Sequence, residues 1–303
     1  SQSDVTDLEG FSNALKIQCT TADTSIAAGE VLILSQRIEG QNIQTLKSNS
    51  TSSKAFTISF YAKSNESRAI SLEARFSNGT NRQAATVHTI GTSWARYTMT
   101  VAAASSIQID NDNSNEMQIN FFLHAGSDFT SGTIQGSTLG AADNTKRAAG
   151  IGSIFASTDN FIEITGLQME VGEVATPFEH EDIGTTLTKC QRYYEEIQVA
   201  NYFVTGNSYA TNAQNCAPMF FRTTKRANPT ITYPTIGTSS GTIGVTNPTA
   251  GYVTQGSVLR TYATTEWFAI YNSTGDGYSG MTAGGVCQIY SYGYNDIKVE
   301  SEL

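Results

Sequence analysis

Residues 56–76 have the sequence FTISFYAKSNESRAISLEARF, in which apolar and polar side chains alternate on both sides of a polar turn. The apolar positions are Phe56, Ile58, Phe60 and Ala62 in the first half and Ile70, Leu72, Ala74 and Phe76 in the second. A period of two places these side chains on one face of an extended chain. The stretch therefore predicts two β-strands that bury one face, with Ser71 and Glu73 among the outward-facing residues.

The same alternation continues on both sides of this stretch. It is found at 96–101 and 117–124, while 31–34 is a continuous apolar run of the kind expected in a central strand. Residues 161–171 close the set, and turn-forming stretches such as 77–80 separate the strands. About seven strands in the first 175 residues predict a two-sheet β-sandwich of jelly-roll type.

Helical spacing appears in one place. Leu187, Cys190, Tyr194 and Ile197 recur at that spacing and predict a short helix over 186–197, which continues into a strand through Val204. The fold is therefore expected to be all-β, with a jelly-roll sandwich over 1–180 and a second, smaller β-domain over 181–303, joined by the short helix. The Thr176-Pro177 step lies close to this boundary.

Composition excludes several classes of function. The 303 residues carry a net charge of −9, so the chain gains nothing from displacing phosphate counterions, and nucleic-acid binding is not expected. No apolar stretch approaches the length of a membrane span, so no membrane insertion is expected. The four cysteines, Cys19, Cys190, Cys216 and Cys287, form no metal-binding motif and predict reduced, mostly buried thiols. A Cys216–Cys287 bridge remains an alternative.

Catalytic and metal-binding patterns are weak. The three histidines, His88, His124 and His180, have no accompanying nucleophile motif. The acidic residues Glu163, Glu170, Glu173, Glu179 and Glu181 are typical of a solvated surface rather than of a glycosidase pair. Residues 110–116, DNDNSNE, favour an Asx-rich turn, with a structural Ca²⁺ site as the open alternative. We therefore predict no catalytic residue, no metal ligand and no cofactor.

Aromatic side chains in the last third favour a binding surface. They occur among Asn, Ser, Thr and Gly, a composition typical of adaptable recognition loops. Aromatic rings stack on sugar rings, while amides and hydroxyls bond sugar hydroxyls. The predicted glycan-binding residues are Tyr252, Tyr262, Trp267, Tyr271, Tyr278 and Tyr292. The alternative is that these side chains build a second core or a subunit interface.

Several segments resemble a family of phage tail-fibre and virion structural proteins that is common in marine and cyanobacterial phages. The similar segments are 20–30, 36–41, 57–63, 111–113, 125–133, 164–172 (ITGLQMEVG), 175–180 (ATPFEH), 190–194 (CQRYY) and 226–229. The resemblance covers residues 10–195 well and the last third weakly. Family members usually carry a further N-terminal segment, so the chain is expected to be a truncated one.

The resemblance implies a carbohydrate-binding-module-like jelly roll followed by a variable C-terminal domain. It implies a virion protein on the tail or capsid surface, assembled in the host cytoplasm, with itself as a homotrimer and other virion proteins as partners. The expected function is a non-enzymatic tail-fibre or receptor-binding subunit that recognises host cell-surface polysaccharide. Capsid decoration with a purely structural role is the alternative, and polysaccharide hydrolysis is a weaker one.

Overall fold

The computed structural model describes residues 1–79, 81–237, 240–247, 251–252, 255–256 and 258–302, with residues 202, 247, 251 and 252 described by their backbone alone. Half of the chain is strand and 9% is helix, and the sheets are antiparallel, so the predicted all-β class is confirmed. The chain divides into two compact units, which we call unit 1 (Ser1–His180) and unit 2 (Glu181–Glu302).

Unit 1 consists mainly of short and medium-length strands. These are β1 (Gln2–Asp4), β2 (Asn13–Gln18), β3 (Val31–Glu39), β4 (Lys47–Asn49), β5 (Ser52–Ser53), β6 (Phe56–Ser64), β7 (Arg68–Phe76), β8 (Arg82–Ile90), β9 (Ala95–Val101), β10 (Ala104–Ser105), β11 (Asn115–Ala125), β12 (Gly136–Ala141) and β13 (Phe161–Val171). One α-helix, α1, spans Ser127–Thr130, and 3-10 turns span Gly40–Leu46, Asn144–Lys146 and Ile154–Ala156.

Two five-stranded sheets of unit 1 pack face to face around one apolar core. Their strand orders are β1-β2-β13-β6-β9 and β12-β8-β7-β11-β3, and a small third sheet has the order β10-β5-β4. The ring of Phe56 meets that of Phe76 at 6.1 Å, and the ring of Phe60 meets that of Phe121 at 4.9 Å. The alternating residues of the two halves of 56–76 thus bury against each other from opposite sheets.

The outward-facing side of β7 is covered, which corrects one expectation from the sequence. Ser71 and Glu73 are fully buried. The Ser71 hydroxyl donates to the Arg147 carbonyl at 2.6 Å, and the Arg147 guanidinium donates to both Glu73 carboxylate oxygens at 2.8 Å. Asn120 donates to the same carboxylate at 2.7 Å. A residue that lies far along the chain therefore closes this face, and alternation within β7 carries no information about it.

Side chains of β13 form hydrogen bonds with residues 172–180, the segment that ends unit 1. The Glu170 carboxylate accepts from the Thr176 amide at 3.1 Å and from the Thr176 hydroxyl at 2.8 Å. The Gln168 carbonyl oxygen accepts from the Glu179 amide at 2.8 Å. These bonds join residues 164–172 to residues 175–180.

The helix of unit 2, α2, spans Ile183–Gln191, earlier in the chain than the spacing of apolar residues predicts. Asp182 caps it by accepting from the Gly184 amide at 2.9 Å and the Thr185 amide at 3.3 Å. At the other end, the buried Lys225 ammonium donates to the Gln191 carbonyl. The chain then becomes a strand at residue 194, so Ile197, expected on the helix, lies in a sheet.

Unit 2 is built on one large sheet. Its strands are β14 (Tyr194–Ala210), β15 (Ala213–Cys216), β16 (Met219–Phe220), β17 (Thr230–Thr232), β18 (Thr242–Asn247), β19 (Gly251–Tyr252), β20 (Arg260–Ala263), β21 (Trp267–Asn272) and β22 (Val286–Glu300). The order is β16-β21-β15-β14-β22-β18-β19, with β17 paired to β22 and β20 to β21. Val204, Phe268, Ile270 and Ile289 belong to the core on one side, which we call the inner face.

Two buried cysteines flank one glycine on the inner face. Gly206 of β14 is paired with Cys216 on one side and with Cys287 on the other. A Cβ atom at Gly206 would lie only 1.9 Å from the Asn215 carbonyl oxygen, so the strands approach too closely for any side chain. The hydrogen bond with Cys287, together with burial, raises the pKa of the Cys216 thiol. All four cysteines are free thiols, and Cys190 on α2 is exposed whereas the other three are buried.

Candidate functional site

The side of the unit 2 sheet opposite the core, which we call the outer face, follows from the strand register. Residues directly opposite each other in antiparallel strands share a face. Five pairs of facing residues place side chains from β20, β21, β15, β14 and β22 on the outer face. They are Tyr262–Ala269, Arg260–Tyr271, Tyr271–Asn215, Asn215–Asn207 and Asn207–Val286. Alternation along β21 and β22 then adds Trp267, Gln288, Tyr290 and Tyr292 to the same face.

Three aromatic side chains form an exposed cluster at one side of this face, which we call the aromatic platform. Phe220 on β16 is the direct partner of Trp267 on β21. Tyr262 lies on the next strand, with its ring centroid 5.5 Å from that of Trp267 and the planes inclined by 38°. Phe220 is 70% exposed and Tyr262 is 60% exposed, while Trp267 is half-buried between them. The platform therefore offers ring surface to a ligand from solvent.

Phe220 is a site residue that the sequence analysis missed. The aromatic residues selected there were Tyr and Trp, which combine a ring with a polar group. Phe220 lies between two apolar neighbours, Met219 and Phe221, and such an apolar run is typical of a core segment. In the structure Met219 and Phe221 pack against the core and Phe220 points away from it. The usable signal was the two-residue period across this run, because it separates Phe220 from its two neighbours.

A second aromatic pair lies on β22, on the same outer face. The rings of Tyr290 and Tyr292 meet edge to face, with 4.5 Å between their centroids. Both side chains are half-buried. The predicted residue Tyr292 is therefore on the same face as Tyr262, Trp267 and Tyr271, although it lies several strands away from them.

Beside the two aromatic clusters, in the row of Tyr271 and Val286, the outer face is polar and almost uncharged. Asn207 and Asn215 are exposed, and Tyr271 and Gln288 are half-buried. Arg260 contributes a positive charge, but its guanidinium donates to both carboxylate oxygens of the buried Asp276, at 2.7 and 2.9 Å. This hydrogen bond from Arg260 holds the pKa of the Asp276 carboxyl below its ordinary value, so the pair stays ionised and mutually neutralised.

One of the predicted binding residues, Tyr278, does not contribute to this face. Tyr278 is 3% exposed and packs in the core of unit 2, where burial raises the pKa of its phenol. Its place is set by the close approach of Gly256, where a Cβ would lie 2.4 Å from the Tyr278 ring. Tyr278 is therefore corrected from a binding residue to a core residue. The side chain of Tyr252 lies outside the described residues.

The acidic residues considered for glycosidase chemistry are engaged separately. Glu163 forms an ion pair with Lys63 at 3.4 Å, Glu170 accepts hydrogen bonds from Thr176, and Glu181 is paired with Lys189. A glycosidase needs two carboxyl groups that face one substrate position. These three contacts are local structural bonds and define no such position.

The acidic loop at 110–116 is stabilised by amide donors. Asn78 donates to Asp110 at 2.9 Å and to Glu116 at 2.8 Å, and Gln108 donates to Asp110 at 3.0 Å. Burial, followed by the nearby Asp110 and Asp112 charges, raises the pKa of Glu116. Within the described ranges, no group of three His, Cys, Asp or Glu residues is arranged to hold a metal ion.

Comparison with protein-family models finds no match to this chain. Comparison with curated proteins finds none either. None of the helices in the described part of the chain has the length and apolar character needed to cross a membrane.

Proposed function

We propose that this chain is a non-enzymatic phage virion protein, a tail-fibre or receptor-binding subunit, whose unit 2 recognises glycans of the host cell surface. The exposed aromatic platform of Phe220, Trp267 and Tyr262 is the observation that carries the proposal. Exposed rings on a rigid sheet stack on the apolar faces of sugars, and the neighbouring amides of Asn207 and Asn215 supply hydrogen bonds for their hydroxyls.

The scaffold in this proposal is a jelly roll formed by unit 1. The edge strands β1 and β12 are set aside, and β2, β3, β6, β7, β8, β9, β11 and β13 are numbered one to eight. The two sheets then have the orders 1-8-3-6 and 5-4-7-2. In this arrangement strands adjacent in sequence lie in different sheets, except for the paired strands β7 and β8, and this supports the jelly-roll assignment. The short helix α2 follows directly, at the start of unit 2, and is the joining helix of the proposal.

The virion location and assembly follow from the resemblance described for the sequence. As a fibre subunit the chain is expected to form a homotrimer and to contact other virion proteins, because symmetric copies turn weak single sites into strong avidity. The separate engagement of Glu163, Glu170 and Glu181 supports a binding role over hydrolysis. The proposal includes no cofactor.

Two measurements test this function. Antibody to the full chain, applied to phage particles for immunogold microscopy, is expected to label tail tips, whereas uniform capsid labelling would favour decoration. Binding of the full chain to intact host cells is expected to fall on periodate oxidation of the cell-surface glycans. Binding that survives periodate and is lost on protease treatment of the cells would assign a protein receptor and refute glycan recognition.

A further inference from the structure

The outer face of unit 2 has aromatic rings at two places rather than one. Trp267 lies on β21 and the Tyr290–Tyr292 pair on β22, with β15 and β14 between these strands. Neighbouring strands lie ~4.8 Å apart, so three intervals separate the two clusters by about 14 Å. This distance is several times the width of one ring, and a single sugar residue cannot touch both clusters.

Two primary amides lie on the same outer face, in the row of Tyr271 and Val286, four residues along the strands from Trp267 and Tyr290. Asn215 and Asn207 lie directly opposite each other on β15 and β14, and Asn207 is opposite Val286 on β22. Each primary amide offers both donors and acceptors, as sugar hydroxyls require. Ala269 stands between Trp267 and Tyr271 on β21, and its side chain is the smallest of the three.

Charge on this face selects against anionic ligands. The chain as a whole carries a net charge of −9. On β20, β21, β15 and residues 286–292 of β22, the charged residue on the outer face is Arg260, and the buried Asp276 carboxylate neutralises it. Farther along β14 and β22 the same face carries the exposed residues Glu196, Asp296, Lys298 and Glu300. An anionic glycan would therefore meet a net negative protein and, on this face, more carboxylates than cations.

From the two aromatic clusters, the amides beside them and the excess of carboxylates over cations on this face, we propose that unit 2 binds a linear, uncharged oligosaccharide lying across the strands from β20 to β22. This proposal rests on the proposed glycan-binding function and specifies its ligand. Trp267 and the Tyr290–Tyr292 pair form two stacking subsites for different sugar residues of one chain. Affinity accordingly rises with ligand length until both subsites are filled, and it does not depend on ionic strength.

The first experiment is an array of neutral and acidic glycans of graded length, probed with the full chain. The expected result is binding to neutral linear glycans, stronger for tetrasaccharides and longer chains than for disaccharides, and unchanged when NaCl is raised. Selective binding of acidic glycans, or a monosaccharide that binds as tightly as its oligomer, would overturn this inference and leave the proposed function intact. An absence of binding to every glycan would overturn both.

Variants of the full chain then test the two subsites, with the best array ligand and its disaccharide as probes. Trp267→Ala and Tyr292→Ala are each expected to weaken the long ligand roughly tenfold. The disaccharide is expected to be sensitive to one of these substitutions and not to the other. Trp94→Ala, which removes the tryptophan of unit 1, is the matched control and is expected to change neither affinity.

Equal losses for the long ligand and the disaccharide in both variants would refute two separate subsites. Far-ultraviolet circular dichroism and the urea midpoint of each variant separate a lost contact from a lost fold. If Tyr292→Ala fails to fold, Tyr292→Phe with the same probes replaces it, because the ring is retained. In that variant the long ligand is expected to keep its affinity, and a tenfold loss would assign binding to the hydroxyl and contradict ring stacking.

Discussion

The buried ion pair between Glu73 and Arg147 makes a quantitative prediction for unit 1. Arg147 is 9% exposed and Glu73 is fully buried, and two parallel hydrogen bonds of 2.8 Å join them. The guanidinium also lies over the Phe122 ring, 4.9 Å from its centroid. Arg147→Met keeps much of the apolar contact but leaves the Glu73 carboxylate buried without its counter-charge.

The expected cost follows from this uncompensated charge. Removing one partner of a buried pair destabilises a protein by about 3–5 kcal/mol. For a domain of this size the loss lowers Tm by an amount on the order of 10 °C. The assay is urea unfolding followed by circular dichroism, with calorimetry for Tm. Glu73→Leu combined with Arg147→Met removes both charges and is expected to recover most of the loss.

Lys146→Met is the matched control, because Lys146 directly precedes Arg147 and its ion pair with Asp143 is solvent-exposed. This variant is expected to leave the unfolding midpoint unchanged within error. The reasoning would be refuted if Arg147→Met also left the midpoint unchanged, or if the double variant were less stable than Arg147→Met. Either result would mean that the Glu73 carboxylate finds water or another partner when Arg147 is removed.

Burial lowers the pKa of His88 below its ordinary value of 6.5, so the free energy of unfolding is expected to fall as the pH decreases through 6.5. The urea midpoint of His88→Gln should not show this pH dependence, and an unaltered dependence would contradict the prediction. Gln83 and Gln214 are both fully buried, but the Gln83 amide is bonded to the backbone of residue 143, whereas the Gln214 amide has no partner in the described structure. By urea unfolding, Gln83→Leu should lower the free energy of unfolding by about 1–3 kcal/mol and Gln214→Leu by clearly less. Equal losses would argue against the difference in hydrogen bonding between the two amides. Gly206→Ala should lower the free energy of unfolding by about 1–3 kcal/mol, whereas Gly275→Ala should lower it by almost nothing, since a Cβ at Gly275 meets no atom within 4 Å. A Gly206→Ala variant as stable as the native chain would contradict the close approach of the strands.

Local patterning in the sequence predicts much of unit 1. Alternation around Phe56 and Leu72 identifies strands and the side that faces the core, because side-chain direction reverses at each residue. It does not predict whether the opposite side is exposed. Glu73 is buried because Arg147, more than seventy residues later, folds over it. Such cover depends on tertiary packing, which a pattern within one strand does not encode.

The candidate site was predicted only in part, and for a similar reason. Trp267 and Tyr262 were selected by residue type, and they do lie together on the outer face. Residue type alone cannot separate an exposed ring from a buried one, so Tyr278 was assigned to the site although it lies in the core. Residue type also failed to select Phe220, although local alternation separates it from its core-facing neighbours; its place beside Trp267 is set by the pairing of β16 with β21.

The unequal exposure of the four cysteines has a practical consequence for studies of assembly. Cys190 is exposed on α2, while Cys19, Cys216 and Cys287 are buried. Buried thiols react slowly with maleimides, because the reagent must reach the sulfur and the thiolate must form. Brief labelling of the native chain therefore attaches one fluorophore per copy, and the number of photobleaching steps in a single particle counts the subunits directly.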